Sequence, residues 1–349
     1  MKRFKKCVLC LLIVTFLAIC VAPANAASVS AEGRVVTDTQ TGEYVQDGKY
    51  IKYISKETLD AFRNGVAGLS TNAATDSKAK FLEQLGYEKE DLEAMGDDEI
   101  DEIIENGENI TLQNAYYYTD AEGNTRLITR EEYQRAKNQS KIDVMGNGGS
   151  SSADSADGYF NIFLSAVYLS PSSQNNEIGW YIFSGTFKFI NGTPKYRMRD
   201  AASLAVEDVM WAQDSSEFFS TMTHKYYNHA GNELTEQSKK VTDKYMYTNG
   251  FYYLWDLPRT TNEPSQGLVH IVFDIRIYVR GKAKMRYYKN EQSFSLYARY
   301  EHTYSALSVQ PSFSWTLGSI PGVSANVGVS NGSNTYTSSC AITYKPSSN

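Results

Sequence analysis

The sequence predicts a mainly β protein, in which a small acidic α+β region precedes a C-terminal antiparallel β-sandwich. The clearest observation is that every second residue from 269 to 279 is apolar, with mostly polar residues between them. Side chains that alternate in this way belong to a strand with one face on a core and the other in water. After residue 158, more β-prone runs follow, separated by turn signals such as Asn191-Gly192. Before residue 108, acidic residues and a helical spacing of apolar residues dominate instead.

Residues 1–26 predict a secretory signal peptide. Basic residues precede an apolar run over residues 7–22, and an A-x-A cleavage site occupies residues 24–26. One alternative is a lipidated Cys20, which Ile19 disfavours because bacterial lipoprotein signals place a small residue there. A second alternative is an uncleaved membrane anchor, but the apolar run is short for a helix that spans the bilayer. We therefore expect a secreted, extracellular protein with no transmembrane span after cleavage.

The cysteines also fit export. Only Cys340 follows the predicted signal peptide, so the mature chain can form no intramolecular disulfide bond and must be stabilised by burial. Such avoidance of cysteine in a secreted protein is typical of Gram-positive bacteria.

The region from residue 27 to residue 145 is predicted to be a small α+β unit. Asp47-Gly48 is a hairpin signal, and Thr129 with Glu132 forms a capping box that opens a helix. Between them, three helical pieces end at glycine, and their apolar residues would share one core: Phe81, Leu82, Leu85, Leu92, Met95, Ile100, Ile103 and Ile104. The many carboxylates over residues 88–108 predict a solvated acidic face, since no calcium-binding loop pattern is present.

Residues 146–158 are rich in glycine and serine and predict a flexible linker, with the domain boundary there. From residue 159 to residue 345 we predict the antiparallel β-sandwich. Its predicted strands are Tyr159–Leu169, Ile178–Ile190, Leu204–Val206, Glu217–Asn228, Leu234–Tyr247, Leu268–Arg280, Lys282–Tyr288, Phe294–Tyr304, Ser308–Leu317, Val323–Ser330 and Thr335–Tyr344.

A row of basic and tyrosine side chains marks the polar side of the central strands. This basic stripe occupies even positions on both sides of Gly281: Arg276, Tyr278, Arg280, Lys282, Lys284, Arg286 and Tyr288. If Gly281 bends one long strand, these residues share a face; if Gly281 is a turn, they lie on neighbouring strands. The stripe is either an exposed sheet surface whose charges resist edge pairing or a binding surface for an anionic partner.

Charge divides the chain into two unlike halves. Residues 27–157 are strongly acidic, whereas residues 158–349 carry a slight positive excess. An intramolecular contact between the acidic region and the basic stripe is therefore possible. A nucleic-acid partner is not expected, since the acidic half would repel it.

Catalytic and metal-binding patterns are sparse. The nucleophile, zinc, P-loop and dinucleotide motifs do not occur, so we expect no catalytic residue, metal site or cofactor. His224 and His229 are five residues apart and would face opposite sides of one strand. Cys340 and His302 lie in predicted strands among apolar neighbours, which indicates core positions rather than an activated thiolate. Paired carboxylates for glycoside hydrolysis remain open, with these candidates: Asp200, Glu207, Asp208, Asp256 and Asp274.

Two stretches resemble a known group of proteins. The first contains Pro194, Arg197 and Asp200, and the second is the serine-rich run over residues 300–330. Together they resemble secreted Firmicutes proteins of uncharacterised function, whose C-terminal β domain has a Pro-x-x-Arg-x-x-Asp turn and a serine-rich terminal hairpin. The resemblance implies secretion and a β fold, and it implies no activity.

The function we favour from the sequence is non-enzymatic binding. The basic stripe and the 26 tyrosines of the chain favour recognition of a cell-surface polymer, either an anionic wall polymer or a carbohydrate, or of a protein. One alternative is a secreted polysaccharide hydrolase with residues 27–150 as a propeptide. Another is a β-type membrane-active toxin, because residues 308–330 alternate polar and apolar residues as a membrane hairpin would.

Overall fold

The structure is a computed structural model, and it describes most of the chain between residues 36 and 344. Left out of the description are residues 1–35, 39–41, 67–70, 121–123, 139–157, 170–179, 191–198, 207–217, 229–231, 248–249, 259–260, 264–267, 285–291, 304–332 and 345–349. The described residues are mainly β, as predicted, with large antiparallel sheets and several helices.

Sixteen strands and five helices are present among the described residues. The strands are β1 Val36–Asp38, β2 Glu43–Gln46, β3 Lys49–Ile54, β4 Gly107–Thr119, β5 Thr125–Ile128, β6 Gly158–Leu169, β7 Trp180–Ile190, β8 Arg199–Val206, β9 Phe219–Tyr227, β10 Glu233–Val241, β11 Lys244–Tyr247, β12 Gly250–Asp256, β13 Thr261–Glu263, β14 Leu268–Lys284, β15 Gln292–Thr303 and β16 Ser333–Tyr344. The helices are α1 Lys56–Val66, α2 Thr71–Leu85, α3 Lys89–Met95, α4 Asp97–Asn106 and α5 Arg130–Lys137.

Two antiparallel sheets form the body. The larger has eleven described strands in the order β1-β2-β3-β4-β6-β7-β14-β9-β10, with β5 paired to β4 and β13 paired to β14. The smaller has the order β11-β12-β8-β15-β16. Residues from both sheets share one core that includes Phe183, Phe187, Phe251, Ile277 and Tyr300. The arrangement is therefore sandwich-like, as expected when two sheets each have one apolar face.

The helices cover the other face of the larger sheet. Their apolar residues, including Leu59, Leu82 and Ile103, pack with sheet residues such as Phe163 and Ile182 in a second core. All eight apolar residues that the sequence placed in a helical core belong to this cluster or pack against it. The larger sheet thus has apolar contacts on both faces, which explains why strands β6 and β7 are buried along almost their whole length.

The predicted linker does not separate two sheets. Strand β4, before it, pairs with strand β6, after it, from Gly107↔Leu169 to Thr119↔Gly158. Residues 139–157 lie outside the described residues, and the division of the chain into two domains remains a prediction. The strand pairs nevertheless place both predicted regions in one continuous sheet.

Strand β14 runs through Gly281 without a turn. It pairs with β7 from Arg276↔Lys188 to Lys284↔Trp180, and Gly281 lies opposite Phe183. Of the two alternatives that the sequence left open at this glycine, the structure has one long strand, so Leu268–Arg280 and Lys282 belong to the same strand. A Cβ at Gly281 would lie 2.5 Å from the ring of Phe218 and 2.8 Å from that of Phe251. The glycine is there because aromatic rings fill the space that a side chain would need.

Two other local predictions differ from the structure, and a third is not tested by it. The predicted strand Leu234–Tyr247 is two strands, β10 and β11, which belong to different sheets. Strand β12 was not predicted, although it is central in the smaller sheet. Predicted strands Ser308–Leu317 and Val323–Ser330 lie outside the described residues.

Candidate functional site

The described side chains of the basic stripe, those of Arg276, Tyr278, Arg280 and Lys282, lie between the larger sheet and the acidic helices. Arg276, Tyr278 and Arg280 are 9%, 1% and 7% exposed, whereas the sequence pattern predicted a wet face. Helices α3 and α4 cover these three residues. The side chain of Lys284 is not described, and Arg286 and Tyr288 lie outside the described residues.

Helix α4 supplies two carboxylates to the stripe. Glu102 accepts hydrogen bonds from Arg280 (3.1 Å) and Lys282 (2.5 Å). Glu99 accepts a hydrogen bond of 2.7 Å from the Tyr278 hydroxyl, and its other oxygen lies 3.3 Å from Nε of Arg280. The expected contact between the acidic region and the stripe is thus present, and it is largely buried.

Glu99 is the most perturbed carboxyl in this interface. Burial raises the pKa of Glu99 to about 7, although Arg280 and the Tyr278 hydroxyl act in the opposite direction. Glu102 lies close by and adds to the rise. Glu99 can therefore change its charge near neutral pH while it faces the sheet.

A second ionic cluster links helix α3 and strand β7. Lys188 is 4% exposed, and its ammonium lies 2.8 Å from Asp91 and 3.2 Å from Glu88. Lys137 of helix α5 also contacts Glu88, at 3.1 Å. Burial of Glu88 opposes its ionisation, but Lys188 and Lys137 outweigh this effect and lower the pKa of Glu88 to about 2. Glu88 is therefore ionised at all physiological pH values.

Beside this cluster, strand β14 contains an irregularity. Its register with β9 shifts between Phe273 and Arg276, and Asp274 adopts a positive φ of 53°. The Tyr227 hydroxyl donates hydrogen bonds to Asp274 (3.3 Å) and to Glu233 (3.2 Å). A bulge of this kind redirects side chains and is common next to binding sites.

A cavity of about 230 Å³ opens at this irregularity. We call it the bulge cavity. It lies among helix α3, helix α5 and strands β7, β9 and β14, and its lining includes Tyr133, Lys188, Tyr227, Asp274 and Arg276. A polar lining with charges of both signs can hold a small polar molecule.

The hydrolase candidates do not converge among the described residues. Asp200 lies on β8 in the smaller sheet, whereas Asp274 lies on β14 in the larger one. Asp256 is exposed at the end of β12. Glu207 and Asp208 lie outside the described residues.

A buried polar group that sequence reasoning did not assemble lies in the smaller sheet. Asp200, Tyr300 and His302 are all at most 2% exposed. The Tyr300 hydroxyl donates to Asp200, and Nδ1 of His302 lies 2.9 Å from the same carboxylate. The sequence feature that pointed to Asp200 was its position as the last residue of the Pro-x-x-Arg-x-x-Asp run. Tyr300 and His302 thus supply hydrogen-bond partners for the buried carboxylate of Asp200, which is the usual role of polar groups beside a buried charge.

The remaining histidine and cysteine candidates show no shared site. His224 is buried, and burial lowers its pKa while Glu236 acts in the opposite direction. His229 lies outside the described residues, and the side chain of Cys340 is not described. Within the part of the chain that the structure describes, no three histidine, cysteine or acidic side chains are grouped to hold a metal ion.

No helix among the described residues is long and apolar enough to cross a membrane. Strand β16 forms one edge of the smaller sheet and pairs antiparallel with β15 over the entire length of both strands. Their partners run from Gln292↔Tyr344 to Thr303↔Ser333. The chain therefore leaves strand β15 at Thr303 and returns beside it at Ser333.

These features define a mainly β protein with two antiparallel sheets, one of them covered by acidic helices. No family model matches the chain, and no curated protein matches it.

Three solved structures show a weak likeness. A structure described as a pore forming protein is 8% identical, with 53% of this chain and 92% of that chain covered and a TM-score of 0.23. AvmM, which catalyses macrocyclization in alchivemycin A biosynthesis, is 11% identical, with 52% and 90% covered and a TM-score of 0.20. The N-terminal domain of the Streptococcus gordonii adhesin Sgo0707 is 9% identical, with 56% and 48% covered and a TM-score of 0.09. At such TM-scores, none of the three supports an inference about this chain.

Proposed function

We propose that this protein is a secreted membrane-active protein that inserts residues 304–332 into a lipid bilayer as a hairpin of two strands. The observation that carries the proposal is the pairing of β15 with β16. Because Thr303 and Ser333 are directly paired, the segment between them begins and ends at adjacent points. An extended segment that starts and ends in this way can continue the hairpin that β15 and β16 begin.

The composition of the 304–332 segment fits a bilayer. It contains no acidic or basic residue and no histidine. In each arm apolar residues alternate with serine, glutamine, threonine, asparagine or glycine; the apolar residues are Val309, Pro311, Phe313, Trp315 and Leu317 in the first arm and Val323, Ala325, Val327 and Val329 in the second. A membrane-spanning strand needs about 9–11 residues, and each arm has close to this length. One side of such a hairpin would face lipid and the other would stay polar.

The position of the basic stripe supports this choice over polymer binding. Three members of the stripe are buried under helices α3 and α4 and paired with Glu90, Glu99 or Glu102. An anionic polymer would have to displace those carboxylates first. Binding of a wall polymer or a carbohydrate remains a prediction from the sequence, and so does polysaccharide hydrolysis.

A dye-leakage assay tests the proposal. The mature protein is added to liposomes of mixed neutral and anionic lipids that contain a self-quenching dye, and we expect release of the dye. The Val327→Asp substitution puts a charge on the lipid-facing side, so leakage should fall about tenfold or more.

The matched control is Asn326→Asp, which adds the same charge one residue earlier on the polar side. It should keep leakage within about twofold of the wild type, because that side stays in contact with water. Thermal unfolding of all three proteins checks that the fold is unchanged. The proposal is wrong if the wild type releases no dye, or if the two variants lose activity equally.

A further inference from the structure

Most charges around the bulge cavity neutralise one another. Glu88 is held by Lys137 and Lys188, and Glu233 lies 3.2 Å from Lys225. Arg276 differs, since its nearest carboxylate oxygen, from Glu90, is 3.8 Å away. That separation is longer than a hydrogen bond. Arg276 is therefore the cation of the cavity whose hydrogen-bonding capacity is least used.

Two buried donors that line the bulge cavity have no hydrogen-bond partner. They are Nε of Arg276 and the hydroxyl of Tyr133, which is 0% exposed. A buried polar group without a partner destabilises the folded state, so native proteins seldom keep one without a reason. Both groups are N–H or O–H donors, and the missing partner is therefore an acceptor. A phosphate or carboxylate oxygen is the acceptor that an arginine binds most strongly.

The carboxylates of the cavity indicate that the ligand also carries a positive charge. Glu90 and Asp274 line the same space as Arg276. A simple anion bound to Arg276 would lie close to these carboxylates and be repelled by them. An ammonium group on the same ligand removes this repulsion, because both carboxylates attract it.

The backbone at Asp274 is a separate observation at the same place. Its φ of 53° is uncommon for a residue other than glycine, and strained residues of this kind concentrate at ligand-binding sites. The strain coincides with the register shift of β14 that opens the cavity. The local fold is thus distorted beside the cavity that the two unpartnered donors line.

We propose that the bulge cavity binds a small zwitterion, a molecule with one phosphate or carboxylate group and one ammonium group. The oxyanion accepts hydrogen bonds from Arg276 and Tyr133, and the ammonium group lies against Glu90 and Asp274. The volume of about 230 Å³ is below the roughly 300–1,000 Å³ of sites for drug-sized ligands, which fits a molecule of this size. This inference does not depend on the membrane insertion proposed above.

Isothermal titration of the full mature chain with O-phosphoethanolamine tests the inference. We expect saturable binding of this compound, and binding at least about tenfold weaker for phosphate alone or ethanolamine alone, since each lacks half of the contacts. Tyr133→Phe should weaken binding about tenfold, because it removes one hydrogen bond to a charged group. The melting temperature of this variant should not fall, since the deleted hydroxyl has no partner in the free protein.

The matched control is Tyr253→Phe. The Tyr253 hydroxyl is also buried without a hydrogen-bond partner, but it lies on β12 in the other sheet and should leave affinity unchanged. The inference is overturned if the zwitterion does not bind at millimolar concentration, if phosphate alone binds equally well, or if both tyrosine variants bind like the wild type.

A second arm identifies the source of the ligand. The protein is floated with vesicles that contain phosphatidylethanolamine, in the presence and absence of O-phosphoethanolamine. If O-phosphoethanolamine displaces the wild type from the vesicles but does not displace Tyr133→Phe, the site binds a lipid headgroup. If the free compound binds but does not displace the protein from the vesicles, the site binds a soluble zwitterion.

Discussion

At the scale of single residues, Glu99 shows how the helices are held on the sheet. Its carboxyl is 5% exposed and faces Arg280 and Tyr278 across the interface. In the folded protein the pKa of Glu99 is about 7, mainly because of burial, whereas the ordinary value is 4.5. The folded state therefore holds a proton on Glu99 at pH values where the unfolded state has lost it.

This difference predicts a pH dependence of stability. Between pH 4.5 and about pH 7 the folded state binds more protons at Glu99 than the unfolded state does, so its contribution to the free energy of unfolding falls as pH rises. The Glu99→Gln variant lacks this contribution. Its free energy of unfolding minus that of the wild type should rise with pH by up to about 1.4 kcal/mol per pH unit.

Urea unfolding of both proteins at pH 5, 6, 7 and 8 measures this difference. Glu88 does not disturb the comparison, because its lowered pKa of about 2 affects stability only as the pH falls below 4.5, and equally in both proteins. A difference that stays constant with pH would contradict the assignment to Glu99.

At the scale of elements, strand β14 depends on the missing side chain at Gly281. The glycine faces the rings of Phe218 and Phe251, which contact each other with centroids 5.0 Å apart. The same face carries Ile277 and Val279, both 0% exposed. The strand can therefore stay straight and keep the basic stripe on its other face.

We expect Gly281→Ala to destabilise the protein by roughly 1–3 kcal/mol, because the added methyl group overpacks the space filled by the two rings. The control is Gly65→Ala in helix α1, where a methyl group would meet no atom within 4 Å. That substitution should stabilise by roughly 0.5–1 kcal/mol, since alanine is the better helix former. Urea denaturation at constant pH measures both, and equal effects of the two substitutions would contradict the packing account.

Many of the elements, though not strand β12, were predictable from the sequence because their signals are local. Alternation over residues 269–279 predicted strand β14, and Thr129 does cap helix α5, since its hydroxyl accepts the backbone N–H of Glu132 at 3.2 Å. The covering of the basic stripe was not predictable in the same way. Tyr278 and Glu99 are 179 positions apart, and polar side chains at alternate positions look the same in sequence whether water or an acidic helix faces them. The opposite charges of the two halves were the available signal.

At the scale of the whole molecule, the acidic region and the basic stripe belong to one body. The pairing of β4 with β6 joins the two regions through the backbone, and the carboxylates of α3 and α4 join them through side chains. The charge asymmetry along the chain is thus satisfied internally in part. The uncharged 304–332 segment follows Thr303, the last residue of strand β15.

Labelling along this segment tests the central proposal most directly. Cys340 is first replaced by serine, and single cysteines are then introduced at each position from Val323 to Ser330 and labelled with a dye that fluoresces more strongly in lipid. On addition of liposomes, we predict an increase at positions 323, 325, 327 and 329 and little change at the positions between them, because alternate residues of an inserted strand face lipid. A uniform response, or no response at any position, would contradict insertion of this segment as a strand hairpin.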